Sequence, residues 1–203
     1  MGHLVRAQIR RTDEKADRLL FNLAPPLTVF FALATAAVIP FGPELIAADL
    51  DVGILWVLAL SGLMVFPVWM AGWASANKYA LLGGMRAVAQ GISYEIPLVI
   101  SALVAVVLTG SLSLGEMVEF QAENGWLIFW PPGPGLIAFM IFFLSSLAEA
   151  NRIPFDIPEA ESELVAGVTT EYSGMRFGLF YLAEYLHTLV ASAVAYGLTG
   201  LFD

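Results

Sequence analysis

The chain has 203 residues, of which 59% are hydrophobic and 13% are charged, and its mean hydropathy is +0.78. A water-soluble domain of this length carries roughly a quarter charged residues, so the composition excludes an ordinary soluble protein and indicates lipid as the solvent. The net charge is −9, and the nine Lys and Arg residues form no patch suited to nucleic-acid phosphate. No cysteine is present, which excludes thiolate-held zinc or iron–sulfur clusters in this chain.

Five stretches are long and apolar enough to cross a bilayer, whose hydrocarbon core of roughly 30 Å takes about 20 helical residues. They follow a polar N-terminal segment, residues 1–18, and together form a single membrane domain, residues 1–203. The predicted spans lie at about residues 19–39, 53–74, 92–112, 134–150 and 175–197. Pro25 and Pro26 fit the first turn of the first span or a kink. The sequence predicts an all-α integral membrane protein, a bundle of about five transmembrane helices.

The cations give this bundle an orientation. With five spans, every Lys and Arg falls on one side of the membrane, whereas the loops at residues 40–52 and 113–133 and the C-terminal tail contain none. The positive-inside rule makes the cation-bearing side cytoplasmic, together with the N-terminus. The cations are Arg6, Arg10, Arg11, Lys15, Arg18, Lys78, Arg86, Arg152 and Arg176.

Residues 113–133 combine glutamates with Trp126 and Trp130 and a Pro-Pro-Gly-Pro-Gly string. This combination is typical of an outer-face loop with an interfacial aromatic belt.

Three carboxylates fall within or at the ends of predicted spans. Glu95 lies near the start of the third span, Glu149 ends the fourth, and Glu184 lies inside the fifth. A charge near the bilayer centre costs roughly 2.5–3.5 kcal/mol on insertion scales, so such groups face a bundle interior or water, are paired, or are protonated. An interfacial position that reaches the headgroups is the alternative for Glu95 and Glu149. His187 is the nearest candidate neighbour of Glu184 on its helix face.

The loop between the fourth and fifth spans carries five carboxylates on the face that is expected to be basic. They are Asp156, Glu159, Glu161, Glu163 and Glu171. One interpretation is a solvated acidic loop. Interleaved apolar residues such as Phe155 and Leu164 favour packing instead, and the loop joins Glu149 to the helix of Glu184. This arrangement is typical of a proton relay that runs from the cytoplasmic face into the bilayer.

Other chemistries lack a sequence basis. No nucleotide-phosphate motif is present, and His3 and His187 lack the spacing of metal ligands, so no metal site is predicted. Phe177, Phe180 and Tyr181 line an apolar cavity in one interpretation and are plain helix packing or lipid contacts in the other.

The acidic loop and several shorter runs together resemble one family, the H subunits of NADH-quinone oxidoreductase, which are the bacterial counterparts of the first mitochondrially encoded complex I subunit. Residues 148–167 read Ala-Glu-Ala-Asn-Arg-Ile-Pro-Phe-Asp-Ile-Pro-Glu-Ala-Glu-Ser-Glu-Leu-Val-Ala-Gly and closely resemble the signature loop of that family. Residues 17–25, 71–75, 77–79, 93–97, 170–177 and 182–185 continue the likeness.

The resemblance implies a subunit of a respiratory proton-translocating NADH:quinone oxidoreductase in the cell (inner or plasma) membrane, without catalytic activity of its own. Proteins of this kind contribute to the quinone chamber and begin the proton path, beside hydrophilic quinone-site subunits and neighbouring membrane-arm subunits. Quinone is the substrate, while NADH, FMN and the iron–sulfur clusters belong to partner subunits. The resemblance assigns the proton path to Lys78, Glu95, Glu149, Asp156, Glu159, Glu161, Glu163, Glu171 and Glu184, and the quinone chamber to Arg152, Phe177, Phe180 and Tyr181.

The chain departs from that family in its number of spans. Members usually have about eight, and counterparts of the first span and of the last two are not found here, so a truncated or split form of the family is expected. The alternatives are the related subunit of an energy-converting hydrogenase or formate-linked complex, and a non-functional fragment. A secondary transporter would predict two halves with repeated broken helices, which the sequence lacks.

Overall fold

The computed structural model describes residues 17–40, 46–129, 133–152, 154–155 and 167–199, and all regular structure in these ranges is helical. Seven α-helices follow one another in the described part of the chain. They are α1 (Arg18–Ala36), α2 (Gly53–Leu63), α3 (Val65–Ala74), α4 (Lys78–Thr109), α5 (Leu114–Asn124), α6 (Pro134–Glu149) and α7 (Met175–Thr199). A 3₁₀ turn at Gly167–Glu171 precedes α7. The predicted all-α class is confirmed.

Side-chain caps fix where several helices begin, because the first backbone N–H groups of a helix have no partner within it. Asp17 accepts hydrogen bonds from the N–H groups of Leu19 and Leu20 at the start of α1. Asn77 caps α4 and Ser113 caps α5 in the same way. Gly110 ends α4 with φ of 73°, a left-handed conformation that glycine adopts without strain.

Four helical segments are long and apolar enough to span a membrane: Arg18–Ala36, Gly53–Ala74, Lys78–Thr109 and Met175–Gly197. The second comprises α2 and α3, which meet at Met64. Helix α6 is also apolar but shorter, with 16 residues. The chain is therefore a multi-pass membrane protein by the length and composition of its helices.

Two helices differ from the pattern that hydropathy predicted. Helix α4 begins at Lys78, whereas the predicted span began at Ile92, and residues 114–124 of the predicted outer loop form α5. Hydropathy detects only the part of a helix that is apolar throughout. The first turns of α4 and all of α5 carry polar residues on one side, so they fall outside that signal.

Helix α4 is the central element and packs against α3, α6 and the 3₁₀ turn, while α1 packs against α3 and α7. Small residues allow the closest approaches, as expected for helices in membranes. A Cβ atom at Gly72 would lie 2.7 Å from the carbonyl oxygen of Ala80, so α3 and α4 touch through their backbones. Large apolar side chains such as Phe30, Ile100 and Val107 point outward, as lipid contact requires.

Candidate functional site

A cavity of about 120 Å³ lies between α1, the α2–α3 junction, α4, α6 and α7. Its walls combine apolar side chains with a cluster of polar groups, which is unusual for the interior of a membrane bundle. The polar lining residues are Thr28, Ser61, Glu149, Asn151, Thr169, Glu184 and His187. The cavity has room for several water molecules, and ionisable groups from α6 and α7 line it together.

Glu149 and His187 face each other across this space. The distance from Glu149 Oε2 to His187 Nε2 is 3.9 Å, and the exposed fractions of the two side chains are 9% and 8%. Glu149 is the last residue of α6, and its burial disfavours the interfacial alternative in which it reaches lipid headgroups.

Glu184 pairs with Arg152, which follows α6. Arg152 Nη1 lies 3.4 Å from Glu184 Oε1, and its guanidinium lies 4.7 Å from the centroid of the Tyr185 ring. The Arg152 Nε and Nη2 groups donate to Thr188 Oγ1 at 3.4 Å. The helix face of Glu184 thus supplies three contacts to Arg152. Sequence proximity indicated His187 as the neighbour of Glu184, whereas the His187 ring faces the Glu149 carboxyl group.

Glu95 lies on α4 beside α2. A Cβ atom at Gly62 would overlap the Glu95 carboxylate, so the missing side chain of this glycine makes room for the carboxyl group. The charge of Glu149 acts on Glu95, and two ionised carboxylates repel each other in a medium of low dielectric constant. Glu95 and Glu149 are therefore electrostatically linked.

Glu171 and Lys78 lie apart from the cavity, near the start of α4. Asn77 Nδ2 donates to Glu171 Oε1 at 2.6 Å, which ties the 3₁₀ turn to the α4 N-cap. Lys78 is the first residue of α4 and its side chain is exposed. Neither residue lines the cavity.

Of the three aromatic residues assigned to a quinone chamber, Phe180 lines the cavity. Its ring packs edge-on against Tyr172, with centroids 4.9 Å apart. Phe177 and Tyr181 lie against each other at 4.6 Å, and Phe177 is 36% exposed. Phe180 thus belongs to the cavity wall, whereas Phe177 borders the helix exterior.

Tyr172 is a buried residue that sequence reasoning did not single out. Its ring stacks on Phe21 with centroids 4.1 Å apart and an interplanar angle of 7°. Burial raises the pKa of the Tyr172 phenol, an effect that the hydroxyl of Ser75 and the positive charge of Arg176 oppose. Tyr172 therefore stays neutral at physiological pH and serves as an uncharged part of the wall behind Phe180.

Gln90 anchors the beginning of the acidic loop and was also not identified from the sequence. Its Nε2 group donates to the carbonyl oxygens of Ala148 at 2.6 Å and Phe155 at 2.7 Å. A polar amide in a largely apolar helix was a usable signal, because such a group requires partners when it is buried. The predicted loop carboxylates Asp156, Glu159, Glu161 and Glu163 lie outside the described residues.

Similar proteins identify the family of this chain. The chain matches the family described as NADH dehydrogenase over residues 6–199. It belongs to that family. It is 50% identical over 179 residues to the H subunit of NADH-quinone oxidoreductase from Rhodospirillum centenum, an alignment that covers 88% of this chain and 52% of that protein.

Two further relatives are also named as H subunits of NADH-quinone oxidoreductase. The Geobacillus thermodenitrificans protein is 51% identical over 179 residues, covering 88% of this chain and 52% of its own length. The Bacteroides fragilis protein is 49% identical over 180 residues, covering 89% of this chain and 50% of its own length. The chain thus spans about half the length of the curated relatives it matches.

Proposed function

We propose that the chain is a membrane subunit of a respiratory NADH:quinone oxidoreductase, complex I, that contributes to the quinone chamber and couples quinone reduction to proton translocation. The observation that carries this proposal is the cavity between helices of a membrane bundle, whose lining includes Glu149, Glu184 and His187. Two relatives whose sequences are 50% and 51% identical to this chain are named as H subunits of NADH-quinone oxidoreductase, and they support the same function.

The proposed mechanism is electrostatic. Reduction of a quinone consumes electrons and protons and so changes the charge of its chamber. Glu149 and Glu95 interact electrostatically, and Arg152 forms an ion pair with Glu184. Carboxyl groups coupled in this way redistribute their protons when a nearby charge changes. The acidic loop, with Asp156, Glu159, Glu161 and Glu163, would connect the quinone chamber to the cavity.

The remaining assignments follow from this role. The chain would lie in the cell (inner or plasma) membrane with its N-terminus and all nine cations on the cytoplasmic side. Hydrophilic quinone-site subunits and neighbouring membrane-arm subunits would be its partners. Quinone would be the substrate, and NADH, FMN and iron–sulfur clusters would be bound by other subunits.

The decisive experiment compares Glu149→Gln and Glu184→Gln in the assembled enzyme. We expect both variants to lower electron transfer from NADH to quinone and the associated proton pumping. Electron transfer from NADH to a water-soluble acceptor should be retained, because that reaction does not use the membrane arm. Glu123→Gln, which changes an exposed carboxylate of α5, is the matched control. Normal quinone-linked turnover and pumping in both test variants would refute the proposal.

The acidic loop is tested separately with Glu161→Gln and Glu163→Gln. Reduced quinone-linked turnover is expected, because a neutral amide cannot take up or release a proton. Wild-type turnover and pumping in both variants would remove the loop from the proposed proton path.

A further inference from the structure

His187 combines burial with an incomplete set of hydrogen bonds. The residue is 6% exposed and lines the cavity from α7. Its Nε2 atom faces Glu149 Oε2 at 3.9 Å, whereas its buried Nδ1 atom has no hydrogen-bond partner among the described residues. Buried polar atoms in proteins nearly always have a partner, either protein or water. The unpartnered nitrogen beside a polar cavity therefore points to cavity water as its partner.

The two ring nitrogens of His187 thus have different surroundings. A neutral imidazole carries a proton on one nitrogen and accepts one at the other, so it can receive a proton on one side and release one on the other side. The 3.9 Å separation from Glu149 exceeds a direct hydrogen bond, and one bridging water or a small side-chain movement closes it. Histidine in a membrane interior is rare unless it faces such a cavity.

We propose that His187 is a proton relay residue between the cavity water and Glu149. A hydronium ion in the cavity water passes its proton to Nδ1 and becomes neutral water, which gives the imidazolium, and the proton on Nε2 then passes to the Glu149 carboxylate. The products are water, a neutral Glu149 carboxyl group and the other neutral tautomer of His187. Reversal of the transfer restores the starting state. This inference rests on the proposed function and deepens it by naming the group that lies between the cavity and one of its carboxylates.

Among the described residues, several helices place charged or polar groups near His187. Glu149 faces it from α6, and Glu184 lies on its own helix with Arg152 at 3.4 Å. Glu95 approaches from α4 and interacts with Glu149. Helices α1 and α2 contribute the uncharged Thr28 and Ser61 to the lining. A carboxylate oxygen of Glu149 lies 3.9 Å from Nε2 of this imidazole.

The first test uses the full chain in lipid nanodiscs labelled with ¹⁵N-histidine. The chain contains two histidines, His3 and His187, and His187→Asn assigns their signals. We expect the ¹⁵N chemical shifts of His187 to differ between wild type and Glu149→Gln, because an amide replaces the carboxylate that faces Nε2. Glu123→Gln should leave these chemical shifts unchanged. His187 chemical shifts that are identical in wild type and Glu149→Gln would refute the pairing.

The second test measures the assembled enzyme with His187→Asn and His187→Gln, whose abundance in the membrane is checked first. We expect loss of quinone-linked turnover and an altered pH profile, with electron transfer to a water-soluble acceptor retained. If Glu149→Gln and Glu184→Gln lower turnover while both His187 variants match wild type at every pH, the relay is refuted and the proposed function stands. If no variant changes turnover, the proposed function itself fails, and the ¹⁵N spectra in nanodiscs still decide the pairing.

Discussion

Gly62 makes room for a carboxylate inside the membrane bundle. A methyl group at this position would overlap the Glu95 carboxyl group, which is the mobile end of a flexible side chain. In Gly62→Ala we therefore expect Glu95 to move while the fold persists, with an unfolding free energy within about 1 kcal/mol of wild type, since alanine is favoured over glycine in helices by roughly that amount.

The displacement in Gly62→Ala is measured by carbodiimide labelling of Glu95 followed by mass spectrometry, because the reagent reacts with accessible carboxyl groups in apolar surroundings. We expect the labelling to differ from that of wild type. Gly115→Ala is the control, since a Cβ atom there meets only Ser113 Oγ at 3.7 Å. Equal labelling of Glu95 in wild type and Gly62→Ala would contradict the expected displacement.

Tyr172 is expected to make stability depend on pH in the alkaline range. Burial raises its pKa in the folded state above the ordinary value of 10.0. The folded state therefore holds the phenol proton more tightly, so the contribution to stability is complete below about pH 10 and is lost as the pH rises through the folded-state pKa. Tyr172→Phe should remove this part of the alkaline decline in melting temperature. Tyr79→Phe, at an exposed tyrosine, should retain it, and equal slopes for both variants would contradict the prediction.

At the scale of helices, the contact between α3 and α4 depends on glycine. A Cβ atom at Gly72 would lie 2.7 Å from the Ala80 carbonyl oxygen and 3.3 Å from Gly84 Cα, and these backbone atoms cannot rotate away. Overpacking of this kind costs about 1–3 kcal/mol, so Gly72→Ala should lower the unfolding midpoint in a denaturing-detergent titration. Gly178→Ala on α7, where a Cβ atom meets open space, should be neutral or slightly stabilising. Equal unfolding midpoints for Gly72→Ala and Gly178→Ala would contradict this prediction, because α3 and α4 would then accommodate the added methyl group without a loss of stability.

The sequence predicted helical segments well and their mutual contacts poorly. Hydropathy indicated the apolar stretches that α1, the α2–α3 pair, α4, α6 and α7 contain, because lipid requires about 20 apolar residues in each span. It carried no information on how each helix is rotated about its axis. That rotation decides that His187 faces Glu149 and that Arg152 pairs with Glu184.

The residues of the candidate site were likewise predicted only in part. Costly intramembrane carboxylates identified Glu149 and Glu184, both of which line the cavity. Gly62 was missed because its role is to lack a side chain, and Gln90 was missed because its partners are backbone carbonyls that only the folded loop brings near.

At the scale of the whole molecule, helix α4 is long enough to extend from one end of the bundle to the other. Its 32 residues extend about 48 Å at 1.5 Å per residue, which exceeds the roughly 30 Å of bilayer hydrocarbon. Ser173, beside the 3₁₀ turn that packs on α4, and Ala122, on α5 beyond the end of α4, are both exposed. The proposed orientation puts Ser173 on the cytoplasmic side and Ala122 on the opposite side.

This orientation can be measured directly because the chain contains no cysteine, so a single introduced cysteine reports one position. We expect a membrane-impermeant maleimide to label Ser173→Cys in inside-out vesicles and Ala122→Cys in right-side-out vesicles. Detergent should expose both cysteines, which controls for reactivity. Because α6 lies between these positions in the chain, labelling of both from the same side would overturn the five-span arrangement and with it the segregation of all nine cations.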